Sequence, residues 1–165
     1  MNISYYQSPL GVLEFSFHRN QLVHISFDKK EAQKWRGRYL PKEAEHLMDL
    51  PPQYVTDLDN YFQGKPVAFN WPLSLIGTPF QIRVWNEIRM IPYGKVSTYK
   101  KIAGDLNSRA YRAVGQAAGA NPIPILVPCH RVLGTHGLGG YSAGLNIKRL
   151  LLELEGAKLS PTHYA

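Results

Sequence analysis

Between Asn121 and Val132 the chain sets three prolines, at 122, 124 and 128, into an otherwise apolar run, Asn-Pro-Ile-Pro-Ile-Leu-Val-Pro-Cys-His-Arg-Val. Proline fixes φ near about −65°, donates no backbone N–H and restricts the residue before it. Such a run fits neither a helix interior nor a regular strand, so it is expected to form a rigid, over-determined loop. The loop carries Cys129, the only cysteine in 165 residues, and His130 follows directly. A rigid loop that presents a thiol beside an imidazole is a plausible mount for a nucleophile. Thiolate is the reactive form of cysteine, and a thiol of pKa about 8.5 is only a few per cent ionised at pH 7, so a base must help. The alternative is a small buried hydrophobe with no chemistry. Adjacent strand residues point to opposite faces, so a loop geometry or a bridging water has to connect Cys129 with His130.

One cysteine excludes an intramolecular disulfide and a multi-thiolate zinc site. The start, Met-Asn-Ile-Ser-Tyr-Tyr-Gln, shows no basic and apolar leader. No apolar run has the length of a membrane span, and no membrane partner is expected. The expected compartment is reducing: the cytoplasm, or the nucleus in a eukaryotic source. The net charge of +7 is unevenly spread. Residues 1–73 hold eight basic and eight acidic side chains, whereas residues 74–165 hold eleven against four. The whole excess therefore lies in the half with Cys129, as expected of a polyanion binder, although charge alone also serves solubility.

The expected fold class is α+β in two domains. Residues 1–73 read as a small scaffold domain with antiparallel strands over 3–27, broken by turns at Ser8-Pro9-Leu10-Gly11 and His18-Arg19-Asn20-Gln21. Lys29–Leu50 is charged and irregular, a helix or a loop. Tyr54, Val55, Leu58, Tyr61 and Phe62 then mark an amphipathic helix. Residues 74–165 read as mainly helical. Thr78-Pro79 starts a helix with Phe80, Val84, Ile88 and Ile91 on its apolar face, stopped by Pro92-Tyr93-Gly94. Short helices over about 98–103 and 109–118, joined through Gly104 to Ser108, suggest a helix-turn-helix. The second of these carries Arg109, Ala110, Tyr111, Arg112 and Ala113. Small residues let its backbone come close to another surface, and the arginines favour a nucleic-acid backbone there. A last helix is expected after Asn146 as N-cap, with Ile147, Leu150, Leu151 and Leu154 as its stripe. Glu155 at its edge is either solvated or paired inside, with an imidazole as natural partner. Residues 157–165 read as a loose tail.

Gly77-Thr78-Pro79-Phe80-Gln81, Ile91-Pro92-Tyr93-Gly94, Arg112-Ala113-Val114-Gly115, Asn121-Pro122, Pro128-Cys129-His130-Arg131-Val132, Gly140-Tyr141-Ser142 and Glu155-Gly156 run in one order over residues 77–156. Together they resemble the O6-alkylguanine-DNA alkyltransferases, the methylated-DNA–protein-cysteine methyltransferases. The first domain is similar only through Ser8-Pro9-Leu10-Gly11 and Tyr61-Phe62. The resemblance implies repair by stoichiometric, irreversible transfer of the alkyl group of a flipped O6-alkylguanine to Cys129, without metal or other cofactor. It implies that His130 takes the thiol proton through a water, that Glu155 orients His130, and that Tyr99 donates to the leaving purine. Backbone groups at Cys129, Val132 and Ser142, with Tyr141 and Asn121 around them, would hold the guanine and tie the loop. Arg112 would fill the gap in the base stack, with Ala110, Tyr111 and Ala113 beside it on the DNA. Arg131 is expected as a structural or phosphate-facing partner and is counted with the DNA contacts. The implied partner is duplex DNA bearing O6-alkylguanine, with O4-alkylthymine left open. A monomer is expected, and cooperative clustering on DNA is left open too.

Three positions depart from the family pattern. Tyr111 stands where alanine is common, Asp105-Leu106-Asn107-Ser108 lacks a Gly-Pro turn, and Ala143 replaces a glycine, putting a methyl at the expected pocket rim. The rival reading is a non-reacting adaptor that binds alkylated DNA on the same scaffold. Such proteins lack the cysteine. A fused transcriptional regulator would need a multi-cysteine zinc domain, and a cysteine hydrolase would need an oxyanion hole.

Overall fold

A computed structural model describes residues 1–163 of the chain. The chain divides into two compact units, Met1–Ile76 and Gly77–Ala165. The first unit is built on a four-stranded sheet of order β3-β2-β1-β4. Its strands are β1 (Asn2–Ser8), β2 (Gly11–His18), β3 (Gln21–Ser26) and β4 (His46–Leu47). β2 is antiparallel to β1 and β3, and the short β4 runs parallel to β1. Arg19 and Asn20 take positive φ of 50° and 61°, which matches the tight turn of a two-residue hairpin. Leu13, Phe15 and Phe17 of β2 are buried and alternate with Glu14 and Ser16, so both faces of the strand are covered.

The segment left open between helix and loop begins with α1 (Lys29–Tyr39), capped by the Asp28 carboxylate on the amides of Lys30 and Glu31. Its Arg36 crosses to the polar side of β2, ion-pairing with Glu14 and with Glu45. The amphipathic helix is α2 (Pro52–Phe62), with Leu58 and Tyr61 buried. Trp71 stacks on Tyr54 at 4.0 Å between ring centroids and donates to Asp57 at 2.8 Å.

In the second unit α3 (Pro79–Arg89) starts on a full capping box. Thr78 accepts from the Gln81 amide, and the Gln81 side chain accepts from the Thr78 amide. Val84, Trp85 and Ile88 form its buried face, and Trp85 Nε1 donates to the Ala117 carbonyl at 2.7 Å. A Cβ on Gly77 would stand 2.5 Å from the Trp85 ring, so no larger residue fits there without a shift. The helix-turn-helix consists of α4 (Tyr99–Asp105) and α5 (Tyr111–Gly119). Asn107 takes φ 54° and supplies the left-handed step for which glycine is commoner. Ser108 Oγ accepts from the Ala110 amide just before α5. Strands β5 (Ser97–Thr98) and β6 (Val132–Leu133) pair in parallel and set the start of α4 beside the cysteine loop.

The last helix, α6 (Leu145–Leu154), differs from its expected form. It starts at Gly144 with φ 100° and has no side-chain cap, so Asn146 lies inside the helix. Leu150 is exposed, and the buried face is Lys148, Leu151, Leu152 and, just past the end, Glu155. Nor is the segment from 157 loose at its start. Ala157 and Leu159 pack against Leu133, Leu138 and Leu152. Tyr164 and Ala165 lie outside the described residues. Among the described residues no helix is long and apolar enough to cross a membrane.

Candidate active site

The proline-rich loop is tied together by one side chain. Asn121 Oδ1 accepts from the Ile123 amide at 3.0 Å, and its Nδ2 donates to the Val127 carbonyl at 2.7 Å and to Cys129 Sγ at 3.1 Å. Ile125 sits at φ 74°, unfavourable for a β-branched residue by about 1–3 kcal/mol. Burial of Ile123, Ile125, Leu126 and Val127 offsets that strain. Cys129–Arg131 then form one 3₁₀ turn instead of a strand. Successive side chains on such a turn fan out by about a third of a revolution, so neighbours face different ways.

Cys129 lines an open pocket of about 460 Å³, with Tyr99, Arg112, Gly115, Gly119 and Tyr141 among its walls. His130 is fully buried, and its Nε2 lies 2.7 Å from Glu155 Oε1. Arg131 Nε and Nη2 donate to the two Glu155 oxygens at 2.8 and 2.9 Å, and its Nη1 donates to the Ile91 carbonyl at 2.7 Å. Burial alone would raise the Glu155 carboxyl. The hydrogen bonds and charges of His130 and Arg131 overcome this and hold it at about 2. Burial pushes His130 the other way, below its ordinary value, against the pull of Glu155. The state that follows is an anionic Glu155 balanced by Arg131, with a neutral His130 donating from Nε2. Nδ1 then carries the free lone pair, and it is buried without a hydrogen-bond partner among the described residues. Burial also raises the Cys129 thiol, while the Asn121 hydrogen bond and the nearby Lys148 charge pull it down.

Tyr99 opens α4, and its hydroxyl donates to the Gly140 carbonyl at 3.4 Å. It stands there because Gly139, at φ 72°, has no Cβ, which would lie 2.6 Å from the Tyr99 ring. Burial raises its phenol, as does the charge of Cys129. Cys129, Tyr99, Tyr141 and Arg112 thus meet at one pocket, with Asn121 bonded to the sulfur and Glu155 anchoring His130 behind the turn. Arg131 differs from its expected place among the DNA contacts: it is buried, with its donors spent on Glu155 and Ile91, because the Glu155 carboxylate needs a counter-charge inside. Val132 is buried, and its carbonyl accepts from Lys148 at 2.7 Å. Ser142 and Ala143 are not among the residues lining the pocket. Ala110 is exposed and Ala113 half-buried on α5. Tyr111 faces a second groove of about 420 Å³, shared with Lys100, Thr135 and His136. The sequence reading missed Lys148, whose spacing of three, four and seven from Leu151, Leu152 and Glu155 marks one helix face.

Residues 79–157 match the family model of the 6-O-methylguanine DNA methyltransferase DNA binding domain, and residues 1–75 that of the ribonuclease-like domain. The methylated-DNA–protein-cysteine methyltransferase of Saccharolobus solfataricus is 49% identical over 154 residues, covering 93% of this chain and 95% of its own. The chain belongs to the methylated-DNA–protein-cysteine methyltransferase family. The methyltransferase of Sulfolobus acidocaldarius is 41% identical over 159 residues, 93% of this chain and 92% of its own. Mycobacterium tuberculosis OGT in complex with DNA superimposes with a TM-score of 0.79 at 36% identity over 100% of both chains. The O6-methylguanine-DNA methyltransferase of Pyrococcus kodakaraensis does so at 0.71, with 28% identity over 94% of this chain and 99% of that one. Cys129 is the one sulfur nucleophile that this methyltransferase sequence has to offer.

Proposed function

We propose that this methyltransferase repairs duplex DNA by taking the alkyl group of a flipped O6-alkylguanine onto Cys129, once per molecule. The observation that carries this reading is a single thiol on a pocket wall, hydrogen-bonded by Asn121, ahead of a neutral histidine anchored on a carboxylate. The Cys129 proton passes through a water to His130 Nδ1. A sulfur electron pair forms the S–C bond, and the C–O bond breaks with its electrons going to guanine. The purine takes up one proton from Tyr99, and the proton held on His130 returns through solvent to the Tyr99 phenolate, so the one proton lost by the thiol is the one gained by the base. Nothing in this balance calls for a metal or a redox partner. Glu155 fixes the His130 tautomer, the nucleophile–base–orienter logic of other sites.

Residues 74–165 act as the DNA-binding and alkyl-acceptor domain, and residues 1–73 as scaffold. The +7 of the former supplies phosphate attraction. Arg112, exposed on α5 at the pocket mouth, fills the place of the extruded base. Tyr141 packs against the alkylated base, and the protein works as a monomer.

Intact mass after incubation with duplex DNA containing O6-methylguanine, followed by peptide mapping, tests this. The expected result is one methyl per molecule, on Cys129. Tight lesion binding without an adduct would instead identify a non-reacting adaptor.

A further inference from the structure

In α6, on a face it shares with Leu151, Leu152 and Glu155, Lys148 is fully buried. Burying an ammonium group without compensation costs several kcal/mol, so a lysine on such a face calls for a reason. Its Nζ donates to the Val132 carbonyl at 2.7 Å and the Gly140 carbonyl at 2.9 Å, and lies 5.8 Å from the centre of the Tyr99 ring. These are dipoles and a π-face; neither is an anion. The carboxylate on the same helix face, Glu155, is engaged by Arg131 and His130. The other groups that feel Lys148 are Cys129 and His130 on the 3₁₀ turn and Tyr99 on α4.

We propose that Lys148 is a positioning residue for alkyl transfer, whose buried ammonium group ties Val132, at the end of the cysteine turn, to the Gly140 wall of the pocket that Cys129 also lines, and supplies the positive charge that favours the Cys129 thiolate. The proposal rests on Cys129 being the alkyl acceptor. One cation acts on both partners of the proton transfer. It draws the Cys129 thiol downward, and together with burial it helps to keep His130 neutral and able to accept. The Gly140 carbonyl takes hydrogen bonds from both Lys148 and Tyr99, so the charge and the purine donor share one anchor. Burial brings Lys148 itself down to about 8, and the charge of Cys129 is what pulls it back up. Methylation turns that sulfur into a neutral thioether and removes this support.

The test uses the full chain with Lys148→Met, which keeps length without charge, and Lys148→Arg, which keeps charge. Thiolate absorbance near 240 nm is titrated against a Cys129→Ser baseline, alongside the pH dependence of single-turnover methyl transfer. Lys148→Met is expected to move the thiol midpoint up by about one pH unit, slowing transfer near pH 7 about tenfold, with recovery at alkaline pH. Lys148→Arg is expected to keep the wild-type midpoint. A folded Lys148→Met with an unmoved midpoint would overturn the proposal, since a purely structural role lowers the rate at every pH without shifting it. Should Lys148→Met not fold, NMR titration of Lys148 in the wild type decides the matter. Coupling is reciprocal, so lysine must titrate at lower pH after Cys129 is methylated, and an unchanged titration refutes the idea. A wild type that gains no methyl on Cys129 sinks the acceptor reading itself. A wild type that does gain one, with Lys148→Met unaltered, sinks only this inference.

Discussion

Replacing Glu155 by glutamine tests the charge arrangement behind the nucleophile. The carboxylate is buried between His130 Nε2 and the Arg131 guanidinium, at 2.7 to 2.9 Å. Its carboxyl lies at about 2 in the fold against an ordinary 4.5. At about 1.4 kcal/mol per pH unit, this lowering makes the ionised form worth roughly 3 kcal/mol of stability. A glutamine keeps the shape but leaves the Arg131 charge uncompensated inside. Because the folded value is the lower one, the stabilisation is complete above about pH 4.5 and is lost as pH falls through about 2. Urea unfolding of wild type and Glu155→Gln, followed by far-UV circular dichroism, should therefore show a gap of about 3 kcal/mol at neutral pH. The gap should be roughly halved near pH 3 and nearly closed near pH 2. A gap that does not change between pH 7 and pH 3 would refute the reasoning, because the loss would then come from packing and not from charge. Methyl transfer should also fall by about 10²-fold, since His130 loses the negative charge that offsets the imidazolium formed when it takes the thiol proton.

Asn121→Ala removes the donor at 3.1 Å from Cys129 Sγ and should slow single-turnover transfer by about 10–100-fold, the usual worth of a hydrogen bond to a charged atom. Its thiol should also titrate at higher pH, read by thiolate absorbance. Gly139→Ala puts a Cβ 2.6 Å from the Tyr99 ring at φ 72°, so thermal denaturation should show a loss of about 1–3 kcal/mol and Tyr99 should be displaced from the pocket. Arg112 is exposed, so the stability of Arg112→Ala in urea unfolding should stay within about 0.5 kcal/mol of wild type while binding to lesion DNA weakens in a fluorescence titration. Methylation turns the Cys129 sulfur into a neutral thioether and removes the charge that supports the buried Lys148, so the melting temperature should be lower after complete reaction.

The sequence announced those parts of the molecule that local backbone chemistry decides. Three prolines around Cys129 forecast an irregular rigid loop, and Asn121 with Ile125 shows how it is held. Thr78-Pro79 forecast the start of α3, and the capping box is there. The hairpin turn at Arg19-Asn20 and the amphipathic spacing of α2 were equally plain. What stayed hidden depends on partners far apart in the chain. Nothing near Lys29 says that Arg36 will reach Glu14 on β2, which is why α1 read as helix or loop. Arg131 stays open between a structural and a phosphate-facing role because nothing beside it in the chain shows that Glu155, 24 positions on, takes its charge indoors.

The end of α6 shows why an active site resists this kind of reading. Choosing apolar residues selected Ile147, Leu150, Leu151 and Leu154, yet the buried face is Lys148, Leu151, Leu152 and Glu155. The spacing of three, four and seven was present throughout, but two of the four positions carry charge, so a hydrophobicity criterion turned the helix away from its true face. Those two charges lie at the candidate site. The Glu155 carboxylate is hydrogen-bonded to His130, and Lys148 donates to the carbonyls of Val132 and of Gly140 on the pocket wall. A face that pairs leucines with opposite charges at one helical spacing is a poor core stripe in isolation. It becomes stable only where a histidine, an arginine and a thiol arrive from elsewhere to complete the balance. The departure from the ordinary pattern is thus the mark of the site, and the search for buried charge at core spacing would have found Lys148 where the search for apolar residues did not.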